Sequence, residues 1–320
     1  MPKKKNRQKS EQLTSLNNDN LSKYLEDFIP KELEGNDKFL DLITWNIKFF
    51  NNRDPKRVEN IQNILQEINA DIFVFQEIEF GSLDQIAESL TQAGAGLYKV
   101  AYGTTGGDQR VALMYDTEWV KASINVEELF TDNPTVTVNG VEKPIFPRLP
   151  LHSTFVARSL DTEEEPFDFH LVGVHLKSQR GGGQEQRTEA ARLLADWVKN
   201  QTIDEDIIIA GDWNAPTESP EWESIRELED QGILNFEGWN RVKDRDEASY
   251  LSLSGRSSRL DLIVISETIT PVEEDKKAKV INWNVLLENE NSLAILKDVI
   301  DKISDHLPVV TRFYFTDKDD

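Results

Sequence analysis

Cysteine is absent from the 320 residues. That excludes disulfides, thiolate-held metals and a cysteine nucleophile. No apolar run nears the ~20 residues needed to cross a bilayer, so no membrane span is expected. The opening stretch MPKKKNRQKSEQ has no apolar segment behind its basic residues. It is unlike a secretory signal, and a cytoplasmic location is the expectation. Positive charge is also scarce: 36 Lys and Arg stand against 58 Asp and Glu, for a net charge of -22. Such a body repels phosphate backbones at long range, which disfavours a tight, nonspecific grip on long duplex DNA. A local basic cleft or bound cations would still accept a short phosphate-bearing substrate.

Hydrophobic residues make up 38% of the chain, enough for a sizeable core. Residues 1–37 read as a polar arm with a basic tip (Lys3, Lys4, Lys5, Arg7, Lys9), the amphipathic piece LSKYLEDFI, Pro30 and Gly35. The tip reads as a solvated tail, with a weak nucleic-acid or membrane-surface anchor as the alternative. The body is assigned to residues 38–320. FLDLITW reads as a buried strand ending at Asn46. Asp54 and Pro55 then start a helix, as N-cap and first helical residue, with Val58, Ile61, Leu65 and Ile68 at helical spacing. DIFVFQ is a second strand, ending at Glu77. The layout recurs: FDFHLVGV ends at His175 and Lys177, Gly181 to Gly183 turn into a helix carrying Leu193, Leu194, Trp197 and Val198, and DIIIAG ends at Asp212 and Asn214. Further strands are expected at RVALMY, LHSTFVA, LDLIVI and PVVTRFYF, and surface loops within residues 121–150 and 267–300. This pattern predicts two packed sheets with helices outside.

Polar residues just after buried strands gather on one rim, where a rigid sheet positions them. Hydrolysis of a phosphate ester needs what these residues offer. Oxygen ligands such as Asn46, Glu77 and Asp305 suit a hard cation, Mg²⁺ or alternatively Mn²⁺. A base or orienting group for water is available in Asp212. Asn214, two residues further along an extended chain, would point the same way. His175 and His306 can stabilise developing negative charge or protonate the leaving oxygen. Taken singly, each residue also has a structural reading, as surface charge, core histidine or turn; their joint order is what points to chemistry.

The segments LITWNIKFF, DIFVFQEIE, LVGVHLKSQ, IIIAGDWNAP, SRLDLIVIS and ISDHLPVV resemble the endonuclease/exonuclease/phosphatase superfamily, the fold of DNase I. The resemblance implies a four-layered α/β sandwich with two mixed β-sheets. It further implies that Asn46 and Glu77 bind or orient the metal, that His175 assists the scissile phosphate, and that Asp212 and Asn214 align the water. Asp261 would pair with His306, which stabilises the pentavalent transition state, and Asp305 would be a metal or orienting ligand. Arg110, in GGDQRVALMY, is expected to contact a phosphate, with a strand-edge salt bridge as the alternative, and Lys177 and Arg187 read either as substrate-holding or as ordinary surface residues. In one respect the chain departs from the DNase I pattern: Asp108 is the only acid near YGTTGG, where DNase I-like members carry a partner for the first histidine. The expected function is a metal-dependent phosphodiesterase, a nuclease with nucleic acid as substrate. A phosphatase or phospholipid-type phosphodiesterase stays open, as does a binding module without catalysis. No protein partner is identifiable, and a monomer is expected.

Overall fold

The computed structural model describes residues 28–158, 165–201, 206–237, 239–240, 247–254, 257–270, 272, 278–283, 286 and 293–317. The basic tip and most of LSKYLEDFI lie outside the described residues.

The first unit is built as its sequence dictates. Strand β1 (Leu40–Phe50) leads through helix α1 (Pro55–Ile68) into the parallel strand β2 (Ile72–Ile78). Asp54 caps α1 by accepting from the amides of Lys56 and Arg57, satisfying two donors that the helix itself cannot. Val58, Ile61, Leu65 and Ile68 face the core. Helix α2 (Asp84–Gln92) and strands β3 (Tyr98–Tyr102) and β4 (Arg110–Asp116) follow, then the short strands β5 (Val120–Ala122) and β6 (Glu127–Glu128). The expected loops of residues 121–150 include a hairpin, β7 (Thr135–Val138) with β8 (Val141–Pro144). The second unit runs from β9 (Leu151–Ala157) through β10 (Asp168–His175) and helix α3 (Gln184–Lys199) to β11 (Ile207–Asp212), which is parallel to β10. Helix α4 (Glu223–Asp230), strands β12 (Leu234–Asn235), β13 (Asp261–Ser266) and β14 (Lys279–Val280), helix α5 (Leu293–Lys302) and β15 (Val309–Phe313) complete the order.

One sheet has the order β14-β15-β1-β2-β4-β3 and the other β12-β13-β11-β10-β9-β5, with β6 also on β9. In each, a parallel pair is flanked by antiparallel strands, so the layout read twice in the sequence is present twice. One apolar cluster joins the two sheets and α1, α2 and α5; a second packs α3 and α4 on the outer face of the β10–β11 sheet. The result is a four-layered α/β sandwich. The sheets approach closely at Gly173, where an added Cβ would lie 2.9 Å from Val74 Cγ1 and 3.0 Å from Val111 Cγ1. Among the described residues, no helix is long and apolar enough to cross a membrane.

Two expectations change. Phe28, Ile29 and Leu33, within the segment read as an arm, are buried, and the Phe28 ring packs 4.6 Å from Trp283. Asn46 and Glu77 lie inside strands, not at their exits, because both strands are irregular there. The β1–β2 register shifts between Asn46 and Phe50, the β2–β4 register between Phe75 and Ile78, and Glu77 has φ +62°. Such bulges re-aim side chains and leave no mark in hydrophobic alternation.

At the far end of β1 and β2, Asp71 accepts the amide of Asp41 at 2.7 Å. Burial, then the charges of Asp41, Asp116 and Asp37, push its pKa from the usual 3.8 to about 8. A carboxyl whose pKa is raised by folding contributes stability that is full below 3.8 and is lost as pH rises through about 8. Thermal melts between pH 5 and 9 should therefore show falling stability, and Asp71→Asn, which keeps an acceptor without the charge, should flatten that slope. A slope unchanged in the variant would mean that other groups cause it.

Candidate functional site

The bulges and strand ends converge on Asp212, which is 1% exposed at the end of β11. Its Oδ2 accepts from Asn46 Nδ2 at 3.0 Å and lies 3.5 Å from His175 Nε2 and 4.0 Å from His306 Nε2. Its Oδ1 accepts the amide of Asn214 at 2.9 Å. The register explains the convergence: Asp212 pairs directly with His175 on β10 and with Asp261 on β13. Asn46 and Glu77 arrive from the other sheet, Glu77 Oε1 lying 3.4 Å from Asn46 Nδ2 and 3.9 Å from His175 Nε2. The strained backbone at Lys48 and Phe49 (φ +22° and +48°) lets the Phe49 amide donate to Glu77 Oε2 at 3.0 Å.

His306 donates through Nδ1 to Asp261 Oδ2 at 2.7 Å, and the two are 6% and 0% exposed. Three bonds fix the turn before it: Trp45 Nε1 to His306 O (2.9 Å), Ser304 Oγ to Asn46 O (2.7 Å) and the His306 amide to Ser304 Oγ (3.1 Å). Burial works against the His306 imidazolium, but Asp261, Asp212 and then Asp305 outweigh it and hold the ring charged well above its usual range. His175 shows the opposite balance. Burial first, then the charges of Arg148 and His306, keep it neutral, and its Nδ1 is buried without a hydrogen-bond partner. Among the described residues, none replaces the acid absent from the YGTTGG stretch. Burial raises the pKa of Asp212, while His306 and Asn46 act against that.

The sequence reading is refined elsewhere. Asn214 does not continue an extended chain: β11 ends at Asp212, and Asn214 turns to φ +60°. Its Nδ2 donates to Leu176 O at 3.1 Å, so its amide braces Asp212 while its side chain ties down the loop after β10. Asp305 pairs with Lys48 at 3.2 Å on the rim. Lys177 Nζ folds back onto Ser178 O (3.2 Å) and Arg180 O (3.3 Å). Arg187 is buried in α3; its guanidinium bonds Glu221 through Nε (2.9 Å) and Nη2 (2.8 Å), and Lys177 O through Nη1 (2.8 Å), which makes it a brace. Arg110 commits Nη1 to Gly103 O (3.0 Å) and Thr104 O (2.6 Å).

Arg148 was missed. It is half-buried, bonded to Gln109 O (3.3 Å) and Oε1 (3.1 Å), and its charge acts on Glu77, Asp212 and His175. The only sequence signal was a lone arginine between two prolines in FPRLP.

Asp212, Asp261 and His306 offer donor atoms within 4.8 Å of one another, an arrangement able to hold a metal. The Asp261–His306 bond already engages two of them, so this trio is better read as a carboxylate–imidazole pair beside a base. Asn46 and Glu77, in contact at 3.4 Å, carry oxygens of the kind a hard cation takes. Asn46 Nδ2 is shared between the Glu77 and Asp212 carboxylates, so two acidic groups meet at one amide, a place where a divalent ion would balance charge.

A family model described as "Endonuclease/Exonuclease/phosphatase family" matches residues 43–306. The chain belongs to the endonuclease/exonuclease/phosphatase family. This family joins nucleases and phosphatases, hydrolases of phosphate esters. Solved structures agree on the fold. A family member from Bacteroides vulgatus is 16% identical, with a TM-score of 0.60 over 87% of this chain and 99% of its own. A humanized D. rerio TDP2 is 15% identical, with a TM-score of 0.56 over 86% of this chain and 98% of its own. A mannosyl-6-phosphatase from Bacteroides thetaiotaomicron is 17% identical, with a TM-score of 0.56 over 85% of this chain and 98% of its own. Among curated proteins, no sequence matches. At these identities the shared property is the sandwich itself, and the chemistry lies in this chain's own site.

Proposed function

We propose that the protein is a divalent-metal-dependent phosphodiesterase acting on nucleic acid. The observation that carries this reading is the position of Asp212, an acceptor carboxylate flanked at 3.5 and 4.0 Å by one neutral and one charged imidazole. Water beside Asp212 would lose its proton to the carboxylate. His306, charged and backed by Asp261, would face the negative charge that grows on the phosphate. His175, neutral, would donate a hydrogen bond from Nε2, and Arg148 would supply a further positive charge. Glu77, Asn46 and Asp305 would hold the cation, Mg²⁺ or Mn²⁺, whose role is to neutralise phosphate charge. The motif GDWNAP favours a nuclease. The net charge of -22 favours a second reading, a phosphatase or phospholipid-type phosphodiesterase with a small substrate.

Hydrolysis of bis-p-nitrophenyl phosphate and p-nitrophenyl phosphate, with Mg²⁺, Mn²⁺ or EDTA, tests the reaction. The diester should be preferred, and EDTA should abolish turnover until Mg²⁺ is restored. Turnover that survives EDTA would remove the metal, and a monoester preference would favour the phosphatase. A panel of single- and double-stranded DNA, RNA, inositol phosphates and sphingomyelin then identifies the substrate.

A further inference from the structure

Of the described phenylalanines, only Phe49 and Phe80 are exposed, at 56% and 69%, and both stand on the rim beside Glu77. Phe49 is bonded through its amide to the Glu77 carboxylate, and Phe80 follows Glu77 by three residues. Their backbones belong to neighbouring strand ends: Phe50 pairs with Ile78 across β1 and β2, and the Glu79 amide donates to Phe50 O at 2.9 Å.

Phe80 is exposed but not loose. The Tyr102 ring packs 5.1 Å away and the Arg110 guanidinium lies 5.7 Å from its centroid. Both supports are themselves fixed. Tyr102 donates to Asp84 Oδ1 at 2.7 Å and accepts the Leu83 amide at 3.0 Å. Arg110 holds two carbonyls of the 103–104 turn, whose Thr104 and Thr105 amides donate to Glu128 Oε1, each at 2.8 Å. A ring supported in this way and left open to solvent loses little freedom on stacking, which favours binding. A single exposed phenylalanine would need no explanation; one braced by an aromatic ring and a cation, at the edge of the reacting groups, does. The acidity of the body adds to the case. With a net charge of -22, long-range attraction to phosphates adds little to affinity for a strand, and stacking on bases is the sequence-tolerant alternative.

Building on the proposed phosphodiesterase activity, we propose that Phe80 is a stacking platform for an unpaired nucleobase next to the scissile phosphate, which makes single-stranded nucleic acid the substrate class.

The test uses the full chain and short single-stranded oligonucleotides, either fully base-bearing or with one tetrahydrofuran spacer moved across the cleavage position. For base-bearing strands, Phe80→Ala should raise KM about tenfold with kcat largely kept, and Phe80→Trp should keep the wild-type KM. With the spacer at the stacked position, wild type and Phe80→Ala should share the same raised KM, because the ring has nothing left to stack on. Cleavage by wild type with no KM change in Phe80→Ala would overturn the platform and spare the phosphodiesterase reading. So would an equal additional loss on the spacer strand. If wild type hydrolyses bis-p-nitrophenyl phosphate but no strand, the nucleic-acid substrate and the platform both fall.

Discussion

Asp212→Asn is expected to lower kcat on the order of 10²- to 10⁴-fold, the range for a removed general base, while the protein stays folded. The geometry sets the size of the effect. Asp212 spends one oxygen on the Asn214 amide and the other on Asn46 Nδ2. An asparagine offers a single acceptor, so one of these donors would face an amide NH₂. Local aim suffers along with basicity, but the side chain keeps its shape within the core. Circular dichroism and melting should resemble wild type, and the loss should persist at saturating metal. Near-normal turnover in a folded variant would defeat the role given to Asp212.

His306→Ala should cost about 3 kcal/mol or more of transition-state stabilisation, roughly a hundredfold in kcat, by analogy with lost oxyanion donors. Its stability needs separate treatment. Removing the imidazole leaves Asp261 buried without its partner at 2.7 Å, and breaking such a pair costs about 3–5 kcal/mol. A fall in activity could then be unfolding alone. The double variant His306→Ala with Asp261→Asn removes the stranded charge. It should regain much of the stability and none of the turnover. Turnover returning together with stability would place His306 in the fold and outside the chemistry.

The sequence carried the strands and most of the site because both have local signatures. LHSTFVA is β9 residue for residue, and DIIIAG leads directly into the Asp212 that lies between the two histidines. What it could not carry depends on distant partners or on backbone irregularity. Arg187 read as a surface or substrate residue because Glu221, its partner, lies 34 residues away. Arg148 has no strand or helix to place it; only the folded 103–109 turn brings it to the carboxylates. The positive φ at Glu77 is invisible in a run that reads as an ordinary strand. Phe28 and Ile29 read as an arm because the surface they cover, around Trp283, comes from the far end of the chain.

The close contact at Gly173 has a consequence for the chemistry. Asn46 and Glu77 stand on one sheet, His175 and Asp212 on the other, so the candidate site straddles a joint. Gly173 sits in that joint, two residues before His175, with Val74 and Val111 already against it. A methyl group there would touch no substrate, yet it would wedge the halves apart and throw the two sets of groups out of alignment. In this molecule the tolerance of the reaction is set partly by the thickness of a gasket far narrower than any side chain that performs it.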